Sequence, residues 1–138
     1  MARGAAGAGQ ATGASAWALG LLVLLPIPLL GPLAAGGAMI AAYGSLSRQG
    51  PVAKANAAAA RSWGRLFLIV STSLLVLQLA IGLVRLTQPD AAASALFLLV
   101  MPLVLYVAVC AAHLVVVIVA LVRVRRGEVL RVPSGRSS

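Results

Sequence analysis

Acidic residues are the scarcest class of charge. Among 138 residues there are two, Asp90 and Glu128, against eleven Lys and Arg, for a formal net charge of +9. Chemistry that needs two carboxylates at one site finds no pair here. There is one cysteine, Cys110, so no disulfide can close within the chain. There is one histidine, His113, and one His with one Cys cannot build a zinc site without ligands from another chain. No cofactor and no metal is expected, and no catalytic constellation points to an enzyme. Charged residues make up 9% of the chain and hydrophobic ones 62%, whereas a soluble domain carries about 25% and about 45–50%. So small a globule cannot hide that much apolar surface. A soluble domain, a cytosolic enzyme and a disordered chain are disfavoured, which leaves a small integral membrane protein.

The spans follow from where charge is absent. No charged residue lies between Arg3 and Arg48, between Arg65 and Arg85, or between Asp90 and Arg123. The middle gap, Leu66 to Val84, holds 19 residues, about 28 Å of helix against a hydrocarbon core of about 30 Å. These gaps predict an all-α membrane protein with three transmembrane helices, near 17–43, 65–86 and 95–122. The first contains Pro26, Pro28, Gly31, Pro32, Gly36 and Gly37. Each proline removes a backbone donor and disfavours helix at the residue before it. A kinked span is the plain reading, and a re-entrant hairpin breaking at Pro26–Pro32 is the alternative. The prolines and the continuing apolar run argue against a cleaved signal peptide.

Basic residues set the orientation. Arg48, Lys54, Arg61 and Arg65 lie in the first connection, and Arg123, Arg125, Arg126, Arg131 and Arg136 lie in the C-terminal tail. With three spans these regions share a side, leaving Arg3 and Arg85 on the other. The positive-inside rule then puts the C-terminus in the cytoplasm and the N-terminus outside, in a multi-pass cell-membrane protein. A re-entrant first segment would move only the N-terminus inside. The same rule accounts for the pI near 11.8, so no nucleic-acid partner is expected. The expected partners are anionic lipid headgroups at the cytoplasmic face, together with further copies of the chain or other membrane subunits.

Residues 1–15, rich in Ala and Gly, read as a disordered tail, 16–126 as the transmembrane bundle, and 127–138 as a cytoplasmic tail. Pro51 suits a first helical turn, and the alanine-rich run to Ala60 favours helix. With Lys54, Arg61, Arg65 and the interface residue Trp63, it reads as a short interfacial helix between the first and second spans. Asp90 lies where it could cap the third helix, and Gly127 ends it.

Four stretches carry a resemblance. They are Leu30-Gly31-Pro32-Leu33, then Pro51 with small residues to Ala60, then Ser62-Trp63, then Gly127-Glu128 with Arg131 and Pro133. Together they resemble a family of small bacterial membrane proteins of unknown function, itself distantly similar to the channel-like Tic-twenty subunit of the chloroplast inner-envelope import machinery. The resemblance covers most of residues 20–133 and implies a three-span helical bundle without implying an activity. Ser62 stands where Asn is usual, Gly64 where Gln is common, and acids are missing between Pro51 and Ala60.

Polar residues at membrane depth are candidates for function. Gln78 lies near the middle of the second span, with Ser71, Thr72 and Ser73 a turn or two earlier. Tyr106, Cys110 and His113 share one face of the third at i, i+4 and i+7. These residues either line a path or serve as interhelical contacts, and the second reading is favoured. Small pairs four apart, Gly31 with Ala35, Gly37 with Ala41 and Ala41 with Ser45, suit close helix approach, as does Gly82. The expected function is a non-catalytic structural or accessory subunit of a membrane complex; the alternative is an oligomeric channel or transport component. A reporter fused after Ser138 is predicted to behave as cytoplasmic, and external behaviour would overturn the charge argument.

Overall fold

The computed structural model describes residues 11–27, 30–88 and 95–130. Every regular element among them is helical. Helix α1 (Ala14–Ala18) runs into a 3-10 segment (Leu19–Leu24). Helices α2 (Leu30–Ala41) and α3 (Tyr43–Leu46) follow. Two long helices, α4 (Pro51–Thr87) and α5 (Ala95–Arg125), are the last of the described elements. Both are long and apolar enough to cross a membrane. At 1.5 Å per residue, the 37 residues of α4 reach about 55 Å.

The first apolar segment is not the continuous kinked helix expected over 17–43. It forms two shorter apolar pieces, Ala14–Leu24 and Leu30–Leu46. Pro26 accounts for the break. It forces the preceding residue out of helical backbone, and Leu25 sits at φ −58°, ψ 130°. The chain then folds back on itself. A Cβ on Gly31 would lie 3.0 Å from the Val23 carbonyl oxygen, and one on Gly20 would lie 3.2 Å from the Met39 sulfur. Pro32 is tolerated because it falls in the first turn of α2, where no intrahelical donor is needed.

Residues 51–64 do not form a separate interfacial helix either. They are the first turns of α4, unbroken into the apolar stretch. Gly50, at φ 128°, turns the chain into the helix and Pro51 occupies its first position. Ala53, Asn56, Ala57, Ala60 and Gly64 are buried. This small stripe lets α1 and α2 approach. A Cβ on Gly64 would meet the Met39 Cβ at 2.9 Å and the Gly36 carbonyl oxygen at 3.1 Å. Of the small residues with four-residue spacing, Gly31 and Ala35 are buried in the hairpin, whereas Ala41 and Ser45 are exposed. Nothing lies within 4 Å of a Cβ on Gly37 or Gly82.

Packing is concentrated at one end. The buried residues of α4 stop at Ser71, and α5 buries His113, Val117, Ala120 and Val124 toward its C-terminus. Beyond them Leu79, Leu83, Leu86, Leu96 and Phe97 are all more than half exposed. Gly64→Val is predicted to destabilise the fold by about 1–3 kcal/mol through overpacking. Gly37→Ala, in open space, should stabilise it by about 0.5–1 kcal/mol. Thermal unfolding of the detergent-solubilised protein reads both, and equal effects would contradict this packing.

Candidate functional site

Two buried polar side chains fasten the hairpin to the long helices. His113 of α5 is fully buried. The Trp63 indole N–H of α4 donates to its Nδ1 at 3.0 Å, and its Nε2 lies 3.1 Å from the Gly20 carbonyl oxygen. An indole nitrogen can only donate. Nδ1 is therefore the acceptor, and the proton sits on Nε2, where it is donated to Gly20. The Phe67 ring stacks on the imidazole, with centroids 3.7 Å apart and planes 21° apart. Both ring nitrogens are thus in use, and neither is free to relay a proton, activate a nucleophile or bind a metal.

The second fastener is Asn56, also fully buried. Its Nδ2 donates to the Thr12 carbonyl at 2.8 Å and the Glu128 carbonyl at 3.3 Å. The Leu130 N–H donates to its Oδ1 at 2.8 Å. Two carbonyls on one side and an N–H on the other fix the orientation of the amide. One side chain thus holds the chain before α1, the start of α4 and the chain after α5 at the same end of the molecule. Gly127 delivers that last segment. At φ 83° it closes α5, with Gly127 N–H donating to the Val124 carbonyl and Glu128 N–H to the Arg123 carbonyl. The Glu128 carboxylate lies 3.7 Å from Arg123, with both side chains more than half exposed, an arrangement that contributes little.

The structure does not gather the expected polar stripe into one site. Tyr106 and Cys110 are half-buried on α5. Neither the Tyr106 hydroxyl nor Gln78 Oε1 has a hydrogen-bond partner among the described residues. Ser71 is buried and bonds within its own helix, to the Phe67 carbonyl at 2.7 Å. Trp63, expected at the interface, is half-buried and spends its donor on His113. Gly31 and Pro32 lie buried in the hairpin and Pro51 opens α4. Pro28, Asp90, Arg131 and Pro133 lie outside the described residues, as does most of the tail over 1–15.

Sequence reasoning missed Asn56 and Gly20. Gly20 acts through its carbonyl, which leaves no trace in a sequence. Asn56 left one, as the lone amide in an alanine run and seven residues before Trp63, so that both fall on the same side of α4. No protein family, curated protein or solved structure matches this chain.

His113→Leu leaves the Trp63 donor and the Gly20 carbonyl unpaired and is predicted to cost about 2–4 kcal/mol. Asn56→Leu removes both the acceptor for Leu130 and the donor to the Thr12 and Glu128 carbonyls. It should strip the Leu130 amide of its hydrogen-exchange protection while leaving α5 near His113 protected. Unchanged protection at Leu130 would contradict the role given to Asn56.

Proposed function

We propose that the protein is a non-catalytic integral membrane subunit whose packed end lies at the cytoplasmic face and whose bare end takes up neighbouring helices. The observation that supports this most is the division of α4 and α5 into a packed half and a half with its apolar side chains uncovered. Lipid can cover such surface, but a large contiguous apolar patch is also what a partner helix requires. The polar side chains favour a structural role, since His113 and Asn56 are consumed in holding the fold.

In this reading α4 and α5 cross the membrane, and the first segment enters from the basic side and returns without crossing. Three observations support it. Thr12 and Glu128 meet on one amide, which puts the start and end of the described chain together. Arg48, Lys54, Arg61, Arg123, Arg125 and Arg126 flank the same packed end. At the other extreme of the hairpin, Leu24, Leu25, Ile27 and Leu30 are 44–62% exposed, which suits hydrocarbon and not water. The N-terminus is then cytoplasmic, the alternative a re-entrant segment allows. The resemblance to Tic-twenty-like proteins and the broken first segment favour, as a second reading, a channel component. One copy has too few helices to enclose a pore, so that reading needs self-association.

Lipid-preserving extraction followed by native mass spectrometry tests the proposal. The expected species contains at least one further, stoichiometric chain. A foreign chain supports the accessory subunit and a closed ring of copies the channel, whereas a stable monomer contradicts both. Cys110 should resist a membrane-impermeant thiol reagent in intact vesicles. Rapid labelling would favour a wet path.

A further inference from the structure

One side of α4 combines two features that the fasteners do not use. A groove of about 710 Å³, open along its length, runs from Leu68 to Ala80 and is lined by Ile69, Thr72, Val76 and Leu77 among others. The twelve helical rises from Leu68 to Ala80 cover about 18 Å, close to the hydrocarbon depth of one leaflet, about 15 Å. Directly above it are two cations. Arg65 precedes Leu68 and Ile69 by three and four residues, and Arg61 precedes Arg65 by four, so helical spacing puts both above the groove on its own face. Arg65 is exposed. The Arg61 guanidinium is held over the Tyr43 ring at 4.8 Å, and its Nε has no acceptor. No carboxylate answers either one, because the one acid among the described residues, Glu128, lies against Arg123.

We propose that this face docks one anionic phospholipid, with its phosphate on Arg61 and Arg65 and an acyl chain in the groove below them. The proposal rests on the membrane reading given above. Charge selects the occupant. Among its described residues a second copy offers these two arginines one acid, Glu128, which already lies beside its own Arg123, and it would bring its own cations, whereas an anionic headgroup neutralises both arginines. A guanidinium suits phosphate because it presents paired N–H donors to two oxygens. Tyr43 restrains Arg61 through its ring face; the Arg61 Nε is buried, and the terminal Nη groups, which make no hydrogen bond among the described residues, remain for a ligand. The lower groove offers apolar walls with the Thr72 hydroxyl among them, which suits a chain of methylenes.

The test uses the full chain in neutral detergent, with native mass spectrometry and two probes of the same acyl chains, dioleoyl phosphatidylglycerol and dioleoyl phosphatidylcholine. One phosphatidylglycerol should be retained per chain in preference to phosphatidylcholine. Arg65→Gln, at an exposed side chain that leaves the Arg61–Tyr43 contact intact, should weaken retention about fivefold, and Arg61→Gln with Arg65→Gln about thirtyfold. Thr72→Trp, which fills the groove and keeps both arginines, should also reduce it. Arg125→Gln, on the other long helix, should not. Equal retention of the two lipids, no loss in Arg65→Gln, or displacement of lipid by a second copy would overturn the site while leaving the membrane reading standing. Release of the chain from carbonate-washed membranes would overturn both.

Discussion

A proline that ends a helix leaves the chain with a turn to make and backbone groups to satisfy. Pro26 holds Leu25 extended, and the first apolar segment doubles back instead of continuing. A short hairpin has little stability of its own, because pieces of five and twelve helical residues are too brief to persist alone. It needs anchors on the long helices. His113 holds the first arm through the Gly20 carbonyl, Asn56 holds the chain just before it through Thr12, and the glycine contacts at 31, 36 and 64 let the second arm lie close. Apart from the Gly31 contact inside the hairpin, these anchors join elements distant in sequence, so the hairpin, α4 and α5 stabilise one another.

The same anchors occupy two of the buried polar side chains among the described residues, Asn56 and His113. The one imidazole has both nitrogens engaged, and the fully buried amide uses both ends. The polar groups left without a partner among the described residues include Gln78, Arg85 and Tyr106 in the outer halves of α4 and α5, and Trp17 Nε1 and Arg61 at the packed end. In an apolar surrounding an unpartnered amide or hydroxyl is costly, and in the proposed reading another helix meets that cost in those outer halves. Arg123 lies beside the Glu128 carboxylate, whereas Arg61 and Arg65 meet no carboxylate among the described residues and, in the proposed reading, take a phosphate. In the proposed reading, a packed basic end and a bare apolar end suit a part of a larger assembly.

Charge gaps make α4 and α5 legible in the sequence. Nineteen consecutive residues without charge are long and apolar enough to span hydrocarbon. The prolines announce a break near Pro26 but leave a kink and a hairpin both consistent with the residues. That choice depends on what the Gly20 carbonyl meets, and a backbone atom has no sequence signature. The interfacial helix expected over Pro51–Gly64 merges into α4 because alanine favours helix wherever it lies, and no breaker separates it from Leu66. Its alanines carry helix propensity, and in the fold they are also contact surface. The shared face of Tyr106, Cys110 and His113 is real geometry along α5, yet their environments differ. Only His113 lies opposite Trp63 and Phe67, and facing residues on another helix are what periodicity within one helix cannot supply. Asn56 escapes notice because a single amide in a basic, alanine-rich stretch resembles a solvated side chain.

The chain before α1 and the chain after α5 are held together, and the membrane reading puts both at the cytoplasmic end. A single cysteine at Thr12→Cys in a Cys110→Ala background, labelled with an impermeant thiol reagent in inverted and in right-side-out vesicles, tests this most directly. Labelling is expected in inverted vesicles only, matching a cysteine placed at Ser138. Labelling of position 12 in right-side-out vesicles, with position 138 labelled only in inverted ones, would mean that the first segment crosses the membrane and would contradict the shared cytoplasmic end.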